Sequence, residues 1–422
     1  MLNEIIENLT IIIPMGGVAK RLLPLTAEVS KACLRLLNRP LIEISLLCLA
    51  SQGVKHFIFG VKGYTNYRSL YDSFESGIGF SARYDVTPRI HIKYQVNEED
   101  YGSADSARIN MEYYDVNSEV FAVQGDNIFD VDLRDFLAFH RENKAVMTIG
   151  LRQVKDASSY GVAEVDSQMK IKRFVEKPSE HEMPANLVNT GLYFLTPEIR
   201  EILQEEKVKE IISRKKRLDF GYDLIPYLIE TGRPVYGYVL NGSWYDVGTP
   251  ERYLEAMRDI LHGKLECLKD FEGRISEDMP VWIQGESPES IKRRNLILEK
   301  ARKGLIRLEG SVLIGRHCEI SDGAKIKDSC IDNYTKIGEN VTIEDSAVMD
   351  RSVIGDCAKI RGSIVGRHCI INSTLDKPTV IDSVSVIADD VTVEAGCQLK
   401  ATKVYPHLYV PKKDYDQAIL QK

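Results

Sequence analysis

Residues 314–348 read IGRHCEISDGAKIKDSCIDNYTKIGENVTIEDSAV, and an aliphatic residue recurs through them in steps of six, six and five positions. Each cycle therefore takes 17 residues, and Ser329, Ser346 and Ser363 recur at the same period. One aliphatic residue per side of a three-sided turn, with small or polar residues between, is typical of a parallel β-helix. Because no single turn buries its own core, such a coil is stable only as a stack.

The repeat pattern also sets the expected limits of the coil. It is recognisable from about residue 305, is interrupted near Lys377 and Pro378, and fades near residue 410. We therefore assign residues 305–410 to the β-helix and residues 411–422 to a C-terminal tail. The side chains expected to point inward are Ile314, Ile320, Ile326, Ile331, Ile337, Ile343, Val348, Ile354, Ile360, Val365, Ile371, Ile381, Ile387, Val393 and Leu399.

A connector is expected before the coil, over residues 263–304. Ser287 followed by Pro288 is a typical helix start, since serine caps free N–H groups and proline fits the first helical position. Gly304 is expected to end this helix, because glycine readily adopts the left-handed conformation that follows a last turn.

Residues 1–262 alternate short apolar runs with helical patterns, which favours an α/β domain with a mainly parallel sheet. Ligands of such sheets bind beyond the carboxyl ends of the strands, so the residues after Ile13 and Val123 are the places to look for chemistry. The expected strands are Thr10–Pro14, His56–Val61, His91–Gln95, Val120–Val123 and Ala145–Leu151. The clearest helix candidates are Pro40–Gln52 and Leu133–Asn143.

Composition and charge exclude several classes of protein. The 422 residues carry a net charge of −7, so the chain has no overall basic footprint for nucleic acid. Apolar stretches such as Leu9–Pro14 are far too short to span a bilayer, and no membrane partner is expected. The N-terminus lacks a basic start before its apolar run, which argues against a secretory signal and favours a cytoplasmic protein.

The most informative segment for chemistry is IIIPMGGVAKRLLPLT, residues 11–26. An apolar strand runs into the Gly16-Gly17 turn, whose backbone N–H groups can approach phosphate oxygens closely. Arg21 and Lys31 could then neutralise a triphosphate. The segment has neither the Walker nor the Rossmann spacing of glycines.

This segment resembles the signature of the nucleotide-sugar pyrophosphorylases, Gly-Gly-x-Gly-Thr-Arg-Leu-x-Pro-Leu-Thr followed by Pro-Lys. Three positions depart from it: Ala19 stands for glycine, Lys20 for threonine and Ser30 for proline. If the glycine position has a positive φ, alanine there costs roughly 1 kcal/mol or the loop relaxes. The matching residues are Gly16, Gly17, Arg21, Leu22, Pro24, Leu25, Thr26 and Lys31.

Further segments resemble motifs of the same family and follow in the same order. They are Gly102-Ser103-Ala104-Asp105, Gln124-Gly125-Asp126-Asn127, Phe174-Val175-Glu176-Lys177-Pro178, Asn189-Thr190-Gly191, and the run from Trp244 to Glu251. Each motif alone is weak, but their ordered combination is specific. Several branches of the family also carry a hexapeptide-repeat β-helix behind the catalytic domain. The chain is similar to glucose-1-phosphate adenylyl- and thymidylyltransferases and to mannose-1-phosphate guanylyltransferases.

The resemblance implies a fold, a reaction and a set of site residues. The fold would be a Rossmann-like, mainly parallel-sheet nucleotidyltransferase domain followed by a left-handed parallel β-helix. The reaction would join an NTP and a hexose-1-phosphate into an NDP-hexose and pyrophosphate, with Mg²⁺ as cofactor. Asp126 and Asp246 would bind the metal, and the catalytic residues would be Arg21, Lys31 and Lys177. The nucleotide would contact Met15, Gly16, Gly17, Gln95, Gly102 and Ser103, and the sugar phosphate Gly161, Glu176, Lys177 and Asn189.

The sequence leaves several alternatives open. Asp130-Val131-Asp132 has the Asp-x-Asp form of glycosyltransferases, and Ala19 and Ser30 would suit a non-catalytic, regulatory paralogue. Gly-Arg-His-Cys occurs at residues 315–318 and again at 366–369, which could mark an acyltransferase but is explained by repeat identity. The base and the sugar stay open between glucose-1-phosphate and mannose-1-phosphate enzymes. The coil faces suit packing against a twin subunit, so a homo-oligomer is expected.

Overall fold

The computed structural model describes residues 2–17, 19–97, 99–179, 185–269, 271–276 and 279–421. The chain divides into two compact units. The first comprises residues 1–17 and 42–246, and the second comprises residues 18–41 and 247–422. The segment 18–41, expected within the catalytic domain, therefore groups with the C-terminal part of the chain.

A mixed sheet forms the first unit. Its parallel part runs in the order Val120–Val123, Thr10–Met15, His56–Lys62 and His91–Asn97. Its other part is mostly antiparallel, because the hairpin of Gly161–Val165 and Ile171–Glu176 is too short for a parallel crossover. The remaining strands are Met147–Gln153, Leu187–Leu195 and Val235–Val239, and Asn127–Phe129 pairs separately with Trp244–Asp246.

Helices connect the strands, and their ends follow local chemistry. Leu133–Glu142 begins after Asp132, whose carboxylate accepts hydrogen bonds from two backbone N–H groups. The two helices predicted most clearly are found within one or two residues of their expected bounds. The α-helices are Leu2–Asn8, Leu41–Ala50, Tyr64–Phe74, Ile78–Arg83, Ser103–Tyr113, Leu133–Glu142, Ile199–Ile202, Glu206–Lys215, Ile225–Glu230, Pro250–Leu261 and Pro288–Arg302.

Three parallel sheets form the coil of the second unit. The first contains Met279–Ile283, Val312–Ile314, Cys330–Ile331, Ala347–Val348, Ile364–Val365, Val386–Ile387, Lys403–Val404 and Ile419–Leu420, with Arg274–Ser276 antiparallel at its edge. The second contains Arg307–Glu309, Lys325–Lys327, Thr342–Glu344, Lys359–Arg361, Val380–Asp382, Gln398–Lys400 and Asp414–Asp416. The third contains Glu319–Ile320, Lys336–Ile337, Val353–Ile354, Ile370–Ile371, Thr392–Val393 and Tyr409–Val410.

All the positions that the repeat predicts to point inward are buried in one continuous core, which also contains further residues such as Val404 and Val410. The periodic serines form a ladder along one corner. The backbone N–H of Ser346 donates to the hydroxyl of Ser329, and that of Ser363 donates to Ser346, each at 3.1 Å. The ladder satisfies buried N–H groups at a corner where the strands turn.

The limits of the coil differ from the predicted ones at both ends. Met279–Ile283, within the expected connector, already pairs in parallel with Val312–Ile314. The segment 411–422, expected as a tail, contains two further strands that pair with the preceding turn, so that expectation is wrong. The predicted connector helix is present as Pro288–Arg302, with Ser287 accepting a hydrogen bond from the N–H of Ser290 at 3.2 Å. Among the described residues, no helix has the length and apolar character needed to cross a membrane.

Candidate active site

The first strand of the sheet ends in a turn that packs closely against its neighbours at Gly16. A Cβ placed on Gly16 would lie 3.1 Å from the Cβ of Lys62. A Cβ on Gly125 would lie 3.1 Å from the Cγ of Met15. The close approaches bring the predicted nucleotide strand next to the turn that carries Asp126, as expected for the carboxyl edge of a parallel sheet.

An ion pair that the sequence did not reveal lies against this turn. Lys62 Nζ is 3.5 Å from Asp100 Oδ1, and Lys62 also donates to the backbone carbonyl of Asp100. Burial raises the pKa of the Asp100 carboxyl, while Lys62 opposes that shift. Lys62 is the last residue of the strand His56–Lys62. Its position at a strand end is the feature of the sequence that could have marked it as a candidate site residue.

A two-stranded ribbon pairs the chain segments that carry the two predicted metal ligands. Asp246 is the register partner of Asn127, the residue that follows Asp126. The amide of Asn127 is buried and donates to the carbonyl of Thr190 at 2.7 Å, which fixes this strand. Two neighbouring carboxylates suit Mg²⁺, which binds through one or two carboxylates and keeps other positions for water or phosphate oxygens.

Glu176 lies in a cradle made by two glycines. It is the register partner of Gly161, where a Cβ would approach Glu176 Oε2 to 2.5 Å, and a Cβ on Gly221 would approach it to 2.2 Å. Burial raises the pKa of Glu176, Lys177 opposes this, and the charge of Asp219 adds to it. The two glycines thus let the backbone approach this carboxylate closely, at positions where any side chain would collide with it.

A buried tyrosine connects the predicted sugar and metal residues. The Asn189 amide donates to Tyr193 Oη at 2.8 Å and accepts from the N–H of Gly191 at 2.9 Å. The pKa of Tyr193 is raised, mainly by burial and further by the charges of three carboxylates. These are Glu176, Asp219 and Asp126. Tyr193 is thus bonded to Asn189, and its pKa responds to the charges of Glu176 and Asp126.

The residues predicted to bind the base differ in their contacts. Gly102 has φ +140°, and a Cβ there would lie 2.6 Å from Asp219 Oδ1. The backbone N–H and the hydroxyl of Ser103 both donate to that oxygen, at 3.1 and 3.2 Å. Gln95 lies on the edge strand, and its amide is 3.5 Å from the carbonyl of Val96. Asp219 was not singled out in the sequence, which gives no signal for this contact.

Tyr222 lies beside two cations near the Glu176 cradle. The Nζ of Lys177 is 5.8 Å from the centre of the tyrosine ring, and the guanidinium carbon of Arg217 is 4.5 Å from it. Arg217 also donates to the carboxylate of Asp223 at 2.8 Å. Lys177 itself is exposed and has φ +49°, so its side chain is available to an anion.

Arg21 and Lys31 lie in the second unit, each on a short 3₁₀ turn. Ala19 has φ −71°, so this position does not need glycine and alanine causes no backbone strain. Ser30 has φ −58°, close to the value that a proline ring imposes. Two of the three departures from the signature therefore leave the backbone conformation intact.

The alternative motifs have structural explanations. Asp132 Oδ1 accepts hydrogen bonds from the N–H groups of Arg134 and Asp135, at 2.9 and 3.1 Å, so Asp-x-Asp contains a helix cap. The repeated cysteines, Cys318 and Cys369, are buried coil residues, and burial raises the pKa of each to about 12. Neither thiol is activated as a nucleophile.

Glycines and carboxylates at the carboxyl edge of a parallel sheet suit the binding of nucleoside phosphates. A family model described as nucleotidyl transferase matches residues 10–263, which is more than half of the chain. The chain belongs to the nucleotidyl transferase family. A second model, described as the GMPPB C-terminal domain, matches residues 308–420. The expected family and fold class are thereby confirmed.

Relatives match along most or all of the chain. A mannose-1-phosphate guanyltransferase of Pichia angusta is 28% identical over 411 residues, covering 94% of this chain and 95% of its own. A UTP–glucose-1-phosphate uridylyltransferase of Synechocystis sp. is 28% identical, covering 76% and 82%. The crystal structure of an apo UDP-glucose pyrophosphorylase superposes with a TM-score of 0.50 and 22% identity, covering 59% of this chain and 96% of that one. That likeness bears on the fold alone.

Proposed function

We propose that the protein is a sugar-1-phosphate nucleotidylyltransferase, which converts an NTP and a hexose-1-phosphate into an NDP-hexose and pyrophosphate. The observation that carries the proposal is the ribbon pairing of Asp246 with the residue after Asp126, in a chain of this family. This pairing supports a common metal site for two carboxylates from distant parts of the sequence. The electrostatic link of Asp126 and Glu176 to Tyr193 supports a sugar subsite close by.

The proposed reaction is an in-line displacement at the α-phosphorus of the NTP. An oxygen of the sugar phosphate forms the new bond, and the bond to pyrophosphate breaks. Asp126 and Asp246 would hold Mg²⁺, which supplies charge neutralisation where two polyanions meet. Arg21 and Lys31 would stabilise the departing pyrophosphate, since rate enhancement here depends on positioning and on charge stabilisation.

The remaining residues would bind and orient the substrates. Lys177 would hold the sugar phosphate, while Glu176 and Asn189 would bind sugar hydroxyls beside the backbone of Gly161. Tyr193 would keep the Asn189 amide oriented through their 2.8 Å hydrogen bond. The backbone at Met15, Gly16 and Gly17 would approach the phosphates, with the base near Gln95, Gly102 and Ser103.

Mannose-1-phosphate with GTP is the first substrate pair to test. The matches that span more than nine-tenths of this chain include mannose-1-phosphate guanyltransferases, and the coil matches the GMPPB C-terminal model. Glucose-1-phosphate with UTP or ATP is the second choice, because those relatives match about three-quarters of the chain. We further propose a cytoplasmic homo-oligomer without nucleic-acid or membrane partners.

A pyrophosphate-release assay tests the function. The purified protein is incubated with ATP, GTP, UTP, CTP or dTTP and with either hexose-1-phosphate, in Mg²⁺ and in EDTA. We expect one NTP and one sugar phosphate to be strongly preferred, and EDTA to stop release. Binding without release for every pair would instead favour a regulatory paralogue. Sugar transfer from an NDP-sugar to an acceptor, without pyrophosphate release, would favour a glycosyltransferase.

A further inference from the structure

The segment that carries Arg21 and Lys31 is anchored to the coil rather than to the α/β unit. Residues 18–41 belong to the same compact unit as the β-helix. The end of the segment is a small hairpin in which Arg35–Leu36 pairs antiparallel with Arg39–Pro40. Leu37 and Asn38 form its tip, with φ values of +54° and +64°. The hairpin is thus a compact element that presents its side chains to the coil.

Arg35 makes the main contact of this hairpin. Its guanidinium forms two hydrogen bonds to the carboxylate of Asp332, one from Nη2 to Oδ1 at 2.8 Å and one from Nε to Oδ2. Asp332 is only 2% exposed, and Asp350 Oδ1 lies 3.9 Å from Nε of the same arginine. A two-point contact to a buried carboxylate fixes orientation as well as position.

The hairpin tip is also bonded to the coil and to its flanking helix. The Asn38 amide donates to Gln284 Oε1 at 2.9 Å, and its oxygen accepts from the thiol of Cys330 at 2.9 Å. The hydroxyl of Tyr253 donates to the carbonyl of Arg35 at 2.6 Å. The hairpin is therefore held through backbone and side chains together.

A second anchor lies on the other side of Lys31. The carboxylate of Glu28 is 2.9 Å from His407 Nε2, and His407 Nδ1 is 3.7 Å from Asp390. Asp390 also pairs with His368 at 3.4 Å. These three coil residues occupy the same corner of successive turns, with φ between +55° and +59°. The repeated histidine thus takes part in a surface row that reaches the segment 18–41.

We propose that the coil clamps residues 28–35, so that Lys31 is held between the Glu28–His407 and Arg35–Asp332 contacts. Arg35 and Asp332 are positioning residues, since they act on the substrate through Lys31 and its neighbours. The coil then serves the reaction directly, beyond any role in assembly. This inference rests on the proposed nucleotidyl transfer for its kinetic part only.

The test uses the full chain and compares Asp332→Asn with Glu344→Gln. Glu344 forms an arginine–carboxylate pair with Arg361 at 3.1 Å on a different sheet of the coil, which makes it a matched control. The rate of hydrogen exchange in peptides covering residues 28–35 shows whether the clamp holds this segment. Steady-state kinetics with each substrate varied in turn report its effect on the reaction.

We expect Asp332→Asn to speed exchange in residues 28–35 and to lower kcat/KM for the NTP at least about tenfold. The KM for the sugar phosphate should stay within about twofold. Arg35→Lys, which keeps the charge but loses the two-point contact, should fall between wild type and Asp332→Asn. Glu344→Gln should change neither readout.

Unchanged exchange and unchanged NTP kinetics in Asp332→Asn would overturn the proposal, as would equal losses in Glu344→Gln. If Asp332→Asn does not fold, the Arg35→Gln/Asp332→Asn double variant, which leaves no unpaired charge, replaces it. If wild-type protein releases no pyrophosphate, the proposed function fails by itself. In that case hydrogen exchange in residues 28–35 and the affinity for GTP, measured by titration, test the clamp. Equal GTP affinity in wild type and in Asp332→Asn would overturn it.

Discussion

At the residue scale, the paired aspartates are the feature with the clearest chemical consequence. Asp126 follows a buried strand, and Asp246 ends the strand that pairs with Asn127. Their adjacency depends on the ribbon and not on either side chain. A change from carboxylate to amide should therefore remove metal affinity while preserving the local structure.

We expect Asp126→Asn to lower turnover by about two orders of magnitude or more, because an amide is a much poorer ligand for Mg²⁺. Pyrophosphate release measures turnover, and circular dichroism checks the fold. Asp132→Asn is the control, since that residue caps a helix and should leave turnover nearly unchanged. Activity of Asp126→Asn near that of wild type would contradict the metal assignment.

Arg21 allows a second residue-scale prediction. Its side chain is exposed on the turn after the Gly16-Gly17 segment, where it can meet pyrophosphate. Arg21→Ala should lower kcat about tenfold or more while the KM for the sugar phosphate stays nearly constant, because the lost charge serves the leaving group. Lys20→Ala, on the same turn, is the comparison. A change confined to the sugar-phosphate KM would show that the roles are misassigned.

At the element scale, the helix Leu133–Glu142 carries a buried histidine. His140 is 1% exposed, and its Nδ1 lies 2.7 Å from the hydroxyl of Thr148. Burial lowers the pKa of His140 to about 4; the charge of Glu119 opposes this shift, and the charge of Arg141 adds to it. The folded protein thus keeps this ring neutral where an unfolded chain would protonate it near pH 6.5.

The sign of the pH effect follows from this difference. Between about pH 6.5 and 4 the unfolded state binds the extra proton, so the free energy of unfolding falls as the pH falls. We expect His140 to lower the free energy of unfolding by about 2 kcal/mol between pH 7 and pH 5. Urea unfolding of wild type and His140→Gln at both pH values measures it. The same loss in both proteins would contradict the prediction.

The sequence predicted the elements whose patterns are periodic or locally specified. Every position that the 17-residue repeat marked as inward is buried in the core of the coil, because a stacked core demands an aliphatic residue on each side. It missed the strands beyond residue 410, where Asp414–Asp416 and Ile419–Leu420 pair without a strongly apolar pattern. In the antiparallel half of the sheet, only Ala145–Leu151 was predicted as a strand, found as Met147–Gln153, and its antiparallel pairing was missed, since strand direction depends on connections and not on composition.

Candidate site residues could be predicted only where a motif carried them. Asp126 and Asp246 came from motifs, and Asp246 is the register partner of the residue after Asp126. Asp100 and Asp219 were not found, because their contacts join segments that share no local pattern. The pairing of Arg35 with Asp332 spans 297 residues, a separation at which a single sequence gives no signal.

At the scale of the whole molecule, the coil is expected to carry assembly as well as the clamp. Sedimentation velocity of the full-length protein at micromolar concentration should show a dimer or larger species. Truncation after residue 262 should lower the assembly state, and it should also lower activity because Arg35 and Glu28 lose their partners. A full-length monomer, or a truncated protein of unchanged assembly state, would contradict the coil's role in assembly.

The grouping of residues 18–41 with the C-terminal half has a consequence for hybrid enzymes. A gene fusion that joins the front of one relative to the coil of another near residue 262 would inherit Glu28 and Arg35 from one parent. Their partners, His407 and Asp332, would come from the other. Recombinants should tolerate such a junction only when both parents carry compatible pairs. Transplanting residues 18–41 together with the coil should therefore give more active hybrids than exchanging the coil alone.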